Sequence, residues 1–215
     1  MNEGRIVVVN LAKGRIGETP SHLLGAFFAS SLAQAAYRRD RLPPEQRTSF
    51  TVYADELQSY ATDSFAAILS EARKYNLHLV LAHQFMAQLP GGLGAAILGN
   101  VGTVIVARVS GDDAELLAKH LVIENPETLI ELNNHEAFVR SLDDKGPTRL
   151  DILAMAPPPA KRHNRADALL LNSRVRWGRA RAQVEAAIMR DLGADKPAAK
   201  LPTPSRLAWS LPTSL

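Results

Sequence analysis

The chain has 215 residues, of which 46% are hydrophobic, 22% charged and 6% aromatic, and it contains no cysteine. This composition excludes wholesale disorder and collagen-like repeats, and the missing cysteine excludes disulfides, a thiol nucleophile and every thiolate zinc site. The net charge of +3 hides an asymmetry, because residues 1–150 carry 14 Lys+Arg against 17 Asp+Glu and residues 151–215 carry 11 against 5.

In chain order, Arg5–Leu11 (RIVVVNL) is a β-branched run that predicts a strand, closed by Lys13-Gly14-Arg15-Ile16-Gly17. A helix is expected from Ser21 to Arg39, with Leu24, Phe27, Phe28 and Leu32 at helical spacing, and Pro43-Pro44 stops it. Phe50–Ala54 is a second strand that runs into Asp55-Glu56. Residues 63–75 form an amphipathic helix with Phe65, Ile68, Leu69 and Ala72 on one face. Leu77–Ala82 is a third apolar strand, followed by His83-Gln84. After Pro90-Gly91-Gly92 come a short helix, a strand over Thr103–Val109, and a helix from Asp112 to Leu121 capped by Asp112 or Ser110. Ala137–Leu142 and Thr148–Leu153 read as a terminal β-hairpin.

Short apolar strands separated by helices predict an α/β fold, with a mostly parallel sheet covered on both faces. The expected boundaries are a body over 1–156, a Pro-rich linker over 157–165, a basic amphipathic helix over 166–192 and a flexible tail over 193–215. No apolar run approaches the ~18–20 residues of a membrane helix, and the first residues lack a secretory pattern. The expected localisation is cytoplasmic.

The segment Phe50–Glu56 carries the most chemical information. An apolar strand that delivers two carboxylates at its C-terminal end is a Walker B arrangement, with Asp55 placed at the crevice where open α/β sheets bind ligands. There the aspartate holds Mg²⁺ through water and the glutamate polarises an attacking water. The same pair would equally serve as a helix N-cap. Gln84, at the end of the next strand, reaches the same sheet edge and can hydrogen-bond both a water and a γ-phosphate. Arg73 is either a cation favoured by a helix C-terminus or an arginine finger offered to a neighbouring subunit.

The run ADELQSYATDSFAAILSEARKYNLHLVLAHQFMAQLP, with ILGNVGTVIVARVSGDDAELLA after it, resembles TraG/TraD-type coupling proteins and their HerA-like relatives. That resemblance covers about Gly4 to Leu153 and implies a RecA-like P-loop ATPase that assembles as a hexameric ring and moves DNA toward a type IV secretion channel. It implies ATP and Mg²⁺ as cofactors, and DNA and relaxosome or secretion proteins as partners. It also places the chain at the inner face of the membrane through those partners. By position, Asp55 matches the Mg²⁺-associated aspartate, Glu56 the catalytic glutamate, Arg73 the trans-acting arginine and Gln84 the sensor glutamine.

One departure governs the rest. Such motors hold phosphates with Gly-x-x-x-x-Gly-Lys-Ser/Thr, and this chain has no Gly-Lys dipeptide. The chain therefore resembles the C-terminal motor half without its Walker A segment: truncated, split from a partner chain, or retained as a non-catalytic module that docks relaxosome or secretion proteins. Other chemistries find no motif. There is no His-Glu-x-x-His and no Gly-x-Ser-x-Gly, and His78 and His83 point to opposite faces of a strand. In the basic tail, Arg174, Arg176, Arg179 and Arg181 with Trp177 could bind phosphates and stack on a base, or anchor the tail on protein.

Overall fold

The computed structural model describes residues 1–61, 63–143, 146–157 and 165–193, and the chain divides into two compact units, Met1–Pro157 and Pro158–Leu215. The hairpin tip at 144–145, most of the expected linker (158–164) and nearly all of the expected tail (194–215) lie outside the described residues.

The first difference from expectation comes at the start. Arg5–Leu11 forms no strand, and Ile6 and Val8 stand 92% and 85% exposed. A β-branched run needs a neighbouring strand to complete its ladder, and none of the described strands lies beside it. A helical turn, α1 (Lys13–Ile16), leads into α2 (Glu18–Tyr37), which Ser21 ties back to the arm by donating from Oγ to the Leu11 carbonyl at 2.6 Å.

Helix α2 also packs by a face other than its large apolar side chains. It buries Ser21, Gly25, Ala29, Ala33 and Ala36, whereas Leu24, Phe27 and Phe28 remain exposed. The small residues recur every three to four positions, so they share one face and let the helix axis come close to its neighbours. At Gly25 the approach is closest, since a Cβ there would sit 2.5 Å from the Tyr60 Cβ.

Strand β1 (Phe50–Ala54) and strand β2 (Leu77–Leu81) pair in parallel, Phe50 opposite Leu77 and Ala54 opposite Leu81. The crossover between them is α3 (Asp63–Glu71), which tightens into a 3₁₀ turn over Ala72–Tyr75 and ends at Asn76 in the left-handed region. Phe65, Ile68 and Ala72 are buried, in keeping with the expected face. The carbonyls left over at that helix end are taken by two arginines. Arg39, 1% exposed, donates to the Tyr75 carbonyl at 2.8 Å and to Asn2 Oδ1 at 3.0 Å, and Arg47 donates to the Lys74 carbonyl. Among the described residues Arg39 makes no ion pair with a carboxylate. The negative end of the helix dipole takes that place, while burial and the nearby Arg47 charge lower its pKa.

Beyond β2, helix α4 (Leu93–Asn100) precedes β3 (Thr103–Val106), which is shorter than the expected Thr103–Val109. Helices α5 (Gly111–Leu121) and α6 (Glu127–Ile130) follow, then β4 (Glu136–Asp143) and β5 (Gly146–Ala154). Ser110 occupies the N-cap of α5, with no hydrogen bond from its side chain. The terminal hairpin is present, and β3 pairs antiparallel with β4 to give the order β3-β4-β5.

The expected mostly parallel sheet is thus two sheets: a parallel pair, β1-β2, and an antiparallel triplet. Among the described residues β2 pairs with β1 alone and β3 with β4 alone, so each sheet keeps an open edge. Each sheet has its own core. Ala54, Leu57, Phe65, Leu89, Leu93 and Ile97 pack at the C-terminal end of the parallel pair, and Val106, Leu117, Leu121, Leu129 and Phe138 pack on the triplet.

In the second unit the expected single helix is two, α7 (Ala166–Trp177) and α8 (Arg181–Asp191), and neither buries a residue. The break falls at Gly178, where the chain turns extended and a Cβ would lie 2.5 Å from the Arg174 carbonyl oxygen.

Gly25→Ala separates two opposing effects. Alanine favours a helix interior by about 1 kcal/mol, but overpacking a close contact costs about 1–3 kcal/mol. At 2.5 Å from Tyr60 the contact wins, and the expected outcome is a net destabilisation of about 1–2 kcal/mol in urea unfolding.

Candidate functional site

The register of β1 against β2 decides what meets at the C-terminal end of the parallel pair. Because Ala54 lies opposite Leu81, the chain leaves both strands at the same level, with Asp55-Glu56 on one side and Ala82-His83-Gln84 on the other. Two backbone bonds extend the pairing past the strands: Ala82 N–H donates to the Ala54 carbonyl and Leu57 N–H to the Ala82 carbonyl, each at 2.9 Å. Leu57 is fully buried and pins the turn from below.

Between these fixed points Glu56 adopts the left-handed region, φ 51° and ψ 47°. A glutamate held there is an uncommon conformation, and the surroundings over-determine it. Asp55 Oδ1 accepts from the Glu56 amide at 3.0 Å, and the Tyr60 hydroxyl donates to the Asp55 carbonyl at 2.8 Å. Burial first, and then the Asp55 and Glu56 charges, push the Tyr60 hydroxyl above its ordinary range, so it stays a donor. Nothing in the sequence singles out Tyr60; its part depends on the tight contact with Gly25.

The outcome is a contact between two of the expected site residues, with Gln84 Nε2 donating to Glu56 Oε1 at 3.1 Å. Asp55, Glu56 and Gln84 are all exposed at this edge. Arg73 is not with them. It is exposed in the 3₁₀ turn just before β2, at the opposite end of the strand, about 15 Å away along a five-residue strand. Within one copy of the chain it cannot reach the Glu56–Gln84 edge.

Asp55 suits Mg²⁺ of the kind that keeps most of its waters: one oxygen is engaged by the Glu56 amide, and the carboxylate is exposed. No group of three or more His, Asp or Glu side chains that could hold a metal occurs among the described residues, so a divalent ion at Asp55 would take its remaining oxygens from water or a bound phosphate. His83, beside Gln84, is half-buried with Nε2 3.0 Å from Met86 Sδ, and His78 lies against Asn76 Oδ1.

The basic candidates of the second unit are spread over both helices. Arg174, Arg176 and Trp177 are on α7, Arg179 is in the break and Arg181 opens α8. All are exposed. Arg176 stacks near Trp177 at 5.4 Å, and Arg181 is engaged with Glu185 at 2.6 Å, leaving it less available to a phosphate than the others. Val175, Val184 and Ile188 are exposed as well.

Compared by sequence, the chain matches no family model and no curated protein. In structure it resembles the unbound bacterial conjugative coupling protein TrwB, with a TM-score of 0.50 and 15% identity over 61% of this chain and 36% of that one. Other similar structures are the genome-packaging NTPase B204 of Sulfolobus turreted icosahedral virus 2, solved with AMPPCP (TM-score 0.47, 13% identity, 62% of this chain and 63% of that one), and VirB4 of Thermoanaerobacter pseudethanolicus (0.45, 14%, 61% and 37%). The likeness to TrwB establishes a shared fold over part of that coupling protein. The match spans little more than a third of the coupling protein's length, and less than two thirds of the packaging NTPase.

Burial holds the His83 imidazole below the ordinary histidine range, partly opposed by the Asp113 carboxylate, and burial with the nearby Arg140 charge lowers His120. A base whose folded pKa is depressed binds protons more readily when unfolded, so its contribution is full above the unfolded value of ~6.5 and is lost as pH falls through it. The urea midpoint is expected to drop between pH 7.5 and pH 5. Replacing both histidines with glutamine should flatten that window.

Proposed function

We propose that this chain supplies the C-terminal portion of a DNA-translocating ATPase of the conjugative, type IV secretion kind. On this reading it hydrolyses ATP only when a Walker A segment from elsewhere completes the site. The observation that carries the reading is the Glu56–Gln84 contact at the C-terminal end of a parallel strand pair. It joins the two residues that such a motor uses to polarise and orient water, and the resemblance assigned them independently.

Each residue then has a part. Asp55 would hold a Mg²⁺ through water, and that ion would supply charge neutralisation to the phosphates. Glu56 is placed to draw a proton from an attacking water, and its fixed backbone limits where its carboxylate can go. Gln84 holds that carboxylate and has a carbonyl oxygen left to accept from the same water. Arg73, stranded at the far end of β2, fits a residue that acts on the next subunit of a hexameric ring rather than on its own site. The phosphates themselves have no cradle, since the sequence contains no Gly-Lys. Two exposed carboxylates repel a polyphosphate until an ion is shared between them.

The 215-residue chain alone is therefore expected neither to bind ATP tightly nor to turn it over. Supplying a Walker A segment in trans or as a fusion should create hydrolysis that Glu56→Gln abolishes. In mixed rings, Arg73→Ala should cut turnover by ~10³-fold at the neighbouring site while leaving its own nucleotide binding intact. ATP turnover by the purified chain without any addition would overturn this reading, as would a completed motor indifferent to Glu56.

A docking role for the second unit has its own support: two helices that bury nothing, with exposed arginines and Trp177. We take DNA as their partner, with a neighbouring subunit as the competing docking partner. Six or more phosphate contacts would weaken binding by orders of magnitude between ~50 and 200 mM salt. An affinity that ignores salt, or that survives deletion of residues 161–215, would assign these helices to protein docking.

A further inference from the structure

Asp113 is a carboxylate only 7% exposed, and it makes no ion pair with lysine or arginine among the described residues. Burying a carboxylate is costly, so its partner identifies what it is for. It stands third in α5, where an acidic residue ordinarily turns back to the N-cap amide to close a capping box. Here Oδ2 instead accepts from the backbone N–H of Met86, at 3.2 Å. Met86 opens the 3₁₀ turn Met86–Gln88 in the exit loop of β2, a different element following a different sheet.

That loop is fixed at both ends. On the strand side, Ala82 N–H is bonded to the Ala54 carbonyl. On the far side, Met86 is held by Asp113, and its Cε sits so close to α4 that a Cβ on Gly94 would meet it at 2.9 Å. Gln84 lies midway, two residues from each anchor, with its amide on Glu56 Oε1 at 3.1 Å. Moving either anchor by an ångström would take Nε2 out of hydrogen-bond range.

We infer that Asp113 is a positioning residue that, by holding the Met86 amide, sets the reach of Gln84 to Glu56 and ties α5 to the edge of the parallel pair. The geometric part stands by itself, while the catalytic consequence rests on the proposed motor function.

Two measurements test it separately. In the 215-residue chain, Asp113→Ala should raise amide hydrogen exchange over residues 84–88 by about tenfold, with β1 and α3 unchanged. Asp113→Asn keeps a weaker acceptor in place and should raise exchange in the same loop by about threefold. If Asp113→Ala loosens the whole chain, the asparagine variant decides, and no local rise in it overturns the inference. In the motor completed with a Walker A segment, Asp113→Ala should lower kcat about as much as Gln84→Ala, with KM for ATP little changed. The double variant should be no worse than Gln84→Ala alone. Additive losses would make Asp113 a structural residue only. Absence of any hydrolysis in the completed parent would count against the motor reading and leave the exchange result to decide the positioning.

Discussion

The parallel pairing of Phe50–Ala54 with Leu77–Leu81 is the constraint on which the rest of the first unit depends. Its register puts Ala54 and Leu81 side by side, so the turn bearing Asp55-Glu56 and the loop bearing Gln84 begin from the same level. A slip of one residue would turn every β2 side chain to the opposite face and move Gln84 away from Glu56. What fixes the register is burial at both ends: Leu77 and Tyr75 pack with Ala33, Ala36 and Ile68, while Ala54 and Leu57 pack with Phe65, Leu93 and Ile97. At about 1.5–3 kcal/mol for each large side chain fully buried, these contacts outweigh the strain of a single left-handed glutamate, about 1–3 kcal/mol.

The helix between the strands is fixed by the same economy of small residues and unmatched charges. α2 comes close enough to cover α3 because glycine and alanine line its packing face, and that close approach seats Tyr60 under Asp55. At the other end, Arg39 and Arg47 replace water on the last carbonyls of the crossover. Burying an arginine against carbonyls alone is costly in isolation, but hydrogen bonds from a charged donor are the stronger kind, and here they face the negative end of a helix. The turn so held is the one that carries Arg73, whose side chain is exposed.

Legibility in the sequence followed the range of the interactions. Both strands of the parallel pair, the crossover helix and the terminal hairpin were readable because their signals are local: β-branched runs, helical spacing and turn residues. That Asp55, Glu56 and Gln84 reach one sheet edge was readable because strand ends in a parallel pair converge. Tyr60, Arg39 and Asp113 were not, since each acts through a partner 5 to 36 residues away that only the tertiary packing brings near. Two local signals misled for the same reason. RIVVVNL has every property of a strand except a neighbour, and the large apolar residues of α2 have helical spacing but point away from the buried alanine face.

The open edges bring fold and function to one question. Among the described residues β2 and β3 each keep one unpaired edge, and Val80 and Ile105 are exposed beside them. Unpaired, apolar edges invite pairing, and a sheet stays open only when it is covered or interrupted. On the proposed reading, a segment that paired with both edges would close the two ladders and could deliver the backbone amides that a triphosphate requires. One segment would then serve both the sheet and the site. Asp113 already links the helix after β3 to the loop after β2. On the proposed reading this carboxylate holds the Gln84 loop in place, and the phosphate-binding segment would be supplied from elsewhere.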